Sequence, residues 1–230
     1  MESASVSSDP SAVLRASLLG DASALVQFLR ARLAPLAVAE SAATATATAT
    51  TVAPAPNPLL PSLLPRAAAV LAPLYALDGR PHLLLTVRSL DLASHRGEIS
   101  FPGGSRETGD ADLAATALRE TDEELGIAPP RVELLGELPV VFAGPSNFAV
   151  TPFVGWLGEG VPALTPSPAE VAEVIYAPLA AFDDPAIYHT EVWQRFGQPH
   201  LLHFYDFGQY RIWGATGRML HALLELLPPP

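Results

Sequence analysis

The chain has 230 residues, 49% of them apolar, with a formal net charge of −11, no cysteine and no lysine, so that all 13 basic residues are arginine. This length suits one substantial core rather than two full domains, and the negative balance excludes nucleic acid or an anionic membrane as partner. Without thiols there is neither a disulfide framework nor a cysteine nucleophile, which leaves carboxylates, histidines, hydroxyls and metal-held water for chemistry. In chain order, residues 1–40 form an N-terminal helical segment whose predicted helix runs from Asp21 to Leu33, with Leu25, Phe28, Leu29 and Leu33 at helical spacing and Pro35 closing it. Residues 41–65 alternate Ala and Thr and then bring Pro54, Pro56, Pro58, Pro61 and Pro65 close together, which reads as a linker because these side chains bury little.

From Arg66 to residue 230 the pattern becomes that of one folded domain. Strands are predicted at Ala68–Leu77, His82–Arg88, Gly97–Phe101, Val132–Val141, Phe148–Leu157 and Glu173–Tyr176, with Asp78-Gly79 as a hairpin turn between the first two. Two more are expected at Tyr188–Phe196 and Leu201–Phe207, before a closing helix over 215–227. Between the third and fourth strands lies a helix capped by Asp110 or Asp112, carried by Ala114 to Leu118, and ended by Gly126 with Pro129 and Pro130 behind it. The fold class is therefore α/β, a mixed sheet with helices on its faces.

That central helix carries the chemistry. Glu120, Asp122, Glu123 and Glu124 crowd into five positions, and the three glutamates stand at i, i+3 and i+4 on one face, where like charges cost about 0.2–0.5 kcal/mol per pair. Ala114, Ala117, Leu118, Thr121 and Leu125 form the apolar stripe, so the acid face is expected beside the core face rather than within it. Clustered carboxylate oxygens on a rigid element select a hard divalent cation, Mg²⁺ or Mn²⁺, and such a cation prefers a phosphate-bearing small molecule.

Gly103, Gly104, Arg119, Glu120, Glu123, Glu124, Gly126 and Ile127 together resemble the box that marks the Nudix hydrolases, enzymes that cleave a nucleoside diphosphate linked to another moiety. Asp110 stands six residues after Gly104, as the box's first acid does, but nine before Arg119 instead of eight, and Thr121 replaces an aliphatic residue. Leu84 to Ser89, Gly97 and Phe101 to Gly104 are similar to the segment of the coenzyme A pyrophosphatase branch, as are Phe148-Ala-Val-Thr-Pro and Trp213-Gly-Ala-Thr. Ala93 falls where that branch has a second arginine, and Arg96 follows three residues on.

The resemblance, which covers roughly residues 66–227, implies a Nudix-type α/β/α sandwich with a mixed β-sheet. It implies metal-dependent cleavage of coenzyme A or an acyl derivative into 4′-phosphopantetheine and adenosine 3′,5′-bisphosphate. Glu120 and Glu124 would hold the metal, with Glu123 as third ligand or as the residue that orients one, and Arg119 would orient Glu123. The general base would be Glu123 or a loop acid, Glu170 or Glu173. Gly103 and Gly104 would let the backbone approach a phosphate, and Arg88, Arg96 and Arg106 are the forks available to bind one. His95 reads as a loop residue, and Trp193, Phe196, Tyr205 and Trp213 as core rather than an adenine platform. Two other readings fit the same residues, a Nudix pyrophosphatase of ADP-ribose or a dinucleotide and a non-catalytic nucleotide sensor. A homodimer is compatible with the sequence. No apolar run reaches about 18 residues and no charged n-region opens the chain, so a cytoplasmic protein is expected.

Overall fold

The computed structural model describes residues 9–33, 64–92, 95–195 and 198–230. Most of the predicted linker, Ala93 and Phe196 lie outside the described residues. Strand β1 (Arg66–Leu77) is the spine of the sheet. It returns as β2 (Arg80–Arg88) through Asp78 and Gly79, whose φ values of 51° and 72° are both positive, the backbone that a two-residue hairpin requires. Along its other edge β1 pairs in parallel with β7 (Phe148–Glu159), from Arg66 opposite Phe148 to Leu74 opposite Trp156, while β2 pairs antiparallel with β8 (Val171–Pro178). Short strands complete this mixed sheet: β3 (Ile99–Ser100) on β2, β4 (Gly103–Ser105) on β1, and β5 (Glu133–Glu137) and β6 (Val141–Ala143) on β7.

The single strand predicted over Val132–Val141 is thus two strands: Leu138 N still donates to Pro152 O of β7 at 2.8 Å, and the break follows at Pro139, which has no N–H to give. Strand β4 was invisible to pattern because two of its three residues are glycine, which reads as a turn. Beyond β8, β9 (Tyr188–Arg195), β10 (Gln198–Phe207) and β11 (Tyr210–Ile212) form a separate three-stranded antiparallel sheet.

Helices cover both faces. Along β1, Ala68, Val70, Ala72 and Leu74 enter a core with Leu25, Leu29 and Leu33 of α2 (Ala22–Leu33) and Leu220, Leu223 and Leu224 of α4 (Gly214–Glu225). The alternate residues Ala69 and Leu71 meet Ala117 of α3 (Leu113–Leu125) and Phe153 on the opposite face. The order helix, sheet, helix is the expected α/β/α sandwich.

A second N-terminal helix, α1 (Pro10–Gly20), escaped the periodicity reading, although Asp9 caps it by accepting from Ser11 N at 2.9 Å and Pro10 takes the first helical position. Its Arg15 is 8% exposed; Nε donates to Asp183 at 2.6 Å and Nη1 to the carbonyls of Leu224 and Pro228 at 3.2 and 2.8 Å. Among the described residues no single helix is long and apolar enough to cross a membrane.

Candidate active site

The site begins where the sheet forks. One edge of β1 is paired to β2 over Leu74–Leu77 and to β4 over Ala68–Val70, and between these stretches Leu71 N donates to Pro102 O at 2.9 Å. Here β2 diverges and β4 slips into its place. Gly103 has φ 153°, and a Cβ there would overlap Ala69 O and the Val70 Cα. A Cβ on Gly104 would fall 2.5–2.6 Å from the carboxylate of Glu120. Both glycines therefore have a packing requirement of their own: the first lets β4 close on β1, the second makes room for an acid of α3.

Helix α3 delivers that acid. Asp112 caps its start by accepting from Ala115 N at 2.7 Å, and Gly126 ends it at φ 71°. Thr121, where the box has an aliphatic residue, is fully buried and satisfies its hydroxyl by donating to Ala117 O at 2.7 Å. The acid face is not wholly separate from the core face as expected: Glu124 is only 2% exposed and shares the buried side of the helix with Thr116, Ala117, Thr121 and Leu125. Burial pushes its carboxyl up to about 8, against the pull of Arg88 and of the Gly103 N–H, while Glu170 and Glu120 push the same way as burial. Glu120 is raised as well, first by burial.

Three carboxylates converge. Ligand oxygens from Glu120, Glu124 and Glu170 all lie within 4.8 Å of one another. Glu170 comes from the loop before β8, where its carbonyl accepts from Ser89 N at 2.8 Å and so ties that loop to the end of β2. Arg88, the last residue of β2, brings Nη1 to 3.9 Å of Glu124 Oε1, and its buried Nε has no hydrogen-bond partner. An all-oxygen set, crowded and partly desolvated, with one cation at 3.9 Å, is a site that fits a hard divalent ion.

Glu123 is not a member of this group. Its side chain is 54% exposed and its Oε2 accepts from Arg119 Nη1 at 2.8 Å, the orienting contact the sequence suggests. Glu173 is exposed and accepts from the Tyr210 hydroxyl instead.

Arg119 is the hub beside the cluster. Its Nη2 donates to Glu120 Oε1 at 3.0 Å and to Ser105 O at 3.1 Å, while Nε donates to Asp110 Oδ1 at 2.9 Å. Asp110 also accepts from Glu107 N at 2.9 Å and from the Thr116 hydroxyl at 2.8 Å. The Arg119 guanidinium, followed by the Glu107 amide, holds the Asp110 carboxyl far below the usual range. The extra residue between Asp110 and Arg119 is absorbed by this turn, so the carboxylate reaches the arginine in spite of the longer spacing. Sequence reasoning offered Asp110 as a helix cap; its correct distance from Gly104 was the better signal.

The other candidates are spread more widely. Arg106 is exposed and donates from Nη2 to Asp110 O at 3.3 Å and Ala111 O at 3.2 Å. Arg96 is exposed and its Nε donates to Leu92 O within its own loop. His95 sits on that loop with φ 55° and pairs with Glu98 at 2.9 Å. Tyr205 is buried on β10, and Trp193 of β9 packs on Trp213, the residue before α4, with ring centroids 5.6 Å apart.

Comparison with known proteins agrees with this geometry. Residues 65–195 match the model of the NUDIX domain. The chain is 42% identical over 161 residues to the Nudix hydrolase NudL of Photorhabdus laumondii, an alignment covering 70% of this chain and 84% of that one. It is 38% identical to the mouse peroxisomal coenzyme A diphosphatase NUDT7, over 70% of this chain and 71% of the relative. It is 39% identical to the human mitochondrial coenzyme A diphosphatase NUDT8, over 72% and 71%. With its box residues gathered around one carboxylate cluster and its matched domain spanning more than half its length, the chain belongs to the Nudix family of hydrolases.

Proposed function

We propose that this Nudix hydrolase cleaves the diphosphate bond of coenzyme A or an acyl-coenzyme A, releasing 4′-phosphopantetheine and adenosine 3′,5′-bisphosphate, with Mg²⁺ or Mn²⁺ as cofactor. The observation that carries this reading is the convergence of Glu120, Glu124 and Glu170 within 4.8 Å, where Arg88 and the Gly103 N–H face Glu124 and Gly104 lies against Glu120. The names of the mouse and human relatives support the substrate class.

A bound divalent cation supplies positive charge that offsets the diphosphate oxygens and makes a nearby water more acidic. Glu120, Glu124 and Glu170 would hold it. Arg119 keeps Glu120 turned toward the fork through a bond whose strength comes from being charge-assisted on both sides. Arg88, whose side chain is 26% exposed beside Glu124, would donate from its terminal guanidinium nitrogens to a substrate phosphate oxygen. Glu170, the loop member of the cluster and more accessible than Glu124, would accept the proton from the attacking water, a step worth about 10²–10⁴ in rate.

The test is the purified chain with Mg²⁺ or Mn²⁺ against coenzyme A, ADP-ribose, NADH and diadenosine polyphosphates. The highest kcat/KM is expected for coenzyme A or its acyl forms, with all turnover lost on chelation. Cleavage of ADP-ribose with coenzyme A untouched would overturn the substrate, and retained turnover in chelator would overturn the cofactor.

A further inference from the structure

Of the arginines beside the carboxylate cluster, Arg88 and Arg119 each form an ion pair with a carboxylate. Arg66 and Arg106 form none among the described residues, although the chain carries 24 acidic side chains. These two line one open recess of about 440 Å³, together with Ala67, Ser105, Glu107 and Thr108.

Both guanidiniums are held in place by groups that leave their charge uncancelled. Arg66, the first residue of β1, stands over the Phe148 ring at 4.2 Å, a stacking contact that leaves donors at the rim of the guanidinium. Arg106 spends one nitrogen on the carbonyls of Asp110 and Ala111, and its own backbone N–H donates to Ala67 O at 3.0 Å, which fixes it beside β1. Two like charges converging on one recess repel each other, and an anion there offsets the repulsion.

The recess adjoins the carboxylate cluster. Gly104 lies against Glu120, Ser105 O accepts from Arg119, and Arg106 follows directly. At extended-chain spacing, Arg106 is about 7–10 Å along the backbone from Gly103 and Gly104, the scale of one sugar with its phosphates.

We infer that the recess between Arg66 and Arg106 is a subsite for a second phosphate of the substrate, a phosphomonoester carried one sugar away from the diphosphate that is cleaved. This deepens the reading under Proposed function and rests on it for the identity of the reacting bond. It assigns the 3′-phosphate of a coenzyme A-type substrate to two bidentate forks, and it assigns Glu107, exposed on the same recess, the role of an opposing charge that limits affinity.

The test compares coenzyme A with 3′-dephospho-coenzyme A as substrates of the full chain. The unmodified protein should favour the 3′-phosphorylated form in kcat/KM. Arg66→Gln and Arg106→Gln should each shrink that ratio about tenfold, through KM rather than kcat, while Glu107→Gln enlarges it. Because each variant is compared with itself on two substrates, a loss of folded protein cancels. A ratio unmoved by either arginine substitution overturns the subsite, and so does a wild-type protein indifferent to the 3′-phosphate. If neither substrate is cleaved, the proposed reaction has failed, and titration calorimetry still decides the subsite. Adenosine 3′,5′-bisphosphate should then bind more tightly than AMP to wild type and lose that advantage in Arg66→Gln; equal binding of the two nucleotides overturns it.

Discussion

The two faces of β1 are packed by different chemistry. Ala68, Val70, Ala72 and Leu74 enter a core of leucines from α1, α2 and α4, and a charged group that intrudes there, Arg15, is bonded to Asp183 and two carbonyls. Ala69 and Leu71 meet α3, whose buried side includes two threonines and Glu124. Each leucine on the first face stabilises the fold by about 1.5–3 kcal/mol through burial. On the second face the helix gives up part of that gain to hold an acid where the charged form is disfavoured. Stability is concentrated on one side of the strand and chemistry on the other, a division that single substitutions can break.

The largest effect expected is on the α3 face. Glu124→Gln should lower kcat by about 10³ or more, because the cation site proposed above would lose a ligand. Its melting temperature should stay level or rise, since a neutral amide relieves a buried carboxylate; a steady-state assay and a thermal melt read the two. A large loss of stability with full activity would reverse the comparison. Next comes the opposite face, where Arg15→Ala should cost about 3 kcal/mol of unfolding free energy by stranding Asp183 and two carbonyls, measured by denaturant titration, with kcat of the folded protein little changed.

A smaller change should follow Asp110→Asn. Arg119 would lose its anchor and hold Glu120 and Glu123 less firmly, lowering kcat about tenfold with KM nearly constant, as steady-state kinetics on the folded variant would show. An unchanged kcat would make Asp110 a loop brace only.

The smallest effect is a pH dependence on the stable side. His203, stacked on His221 with centroids 3.9 Å apart and bonded to the Tyr188 hydroxyl, has its pKa lowered from 6.5 by burial and then by the neighbouring His221 and Arg218, with Glu225 pulling the other way. A histidine depressed in the fold binds fewer protons than in the unfolded chain, so its contribution is present above about 6.5 and is lost as the pH falls below that value. Melting temperatures from pH 7.5 to 5 should fall less steeply in His203→Phe than in wild type.

Much of this was legible in the residues, for reasons that differ by element. The hairpin at Asp78-Gly79, the helix from Asp112 to Gly126 and the long strands announce themselves by turn chemistry, caps and period. Glu120 and Glu124 could be marked as a pair because the helical spacing alone puts them on one face. Glu170 could be named only as one of two loop acids, since its place in the cluster depends on β8 pairing with β2, a contact between segments some eighty residues apart. The inward turn of Glu124 was missed because a hydropathy stripe assigns every acid to water. The capture of Asp110 by Arg119 was missed because helical register does not extend into the loop before a helix.

Arg15 binds the carbonyl of Pro228, so residues among the earliest described are clasped to those near the last. During synthesis α1 and α2 leave the ribosome long before α4, the helix whose leucines cover theirs. Their apolar sides meet those of α4 only once α4 itself has emerged. A nascent chain stopped before α4 would carry the complete carboxylate site and still lack the clasp that closes its supporting core.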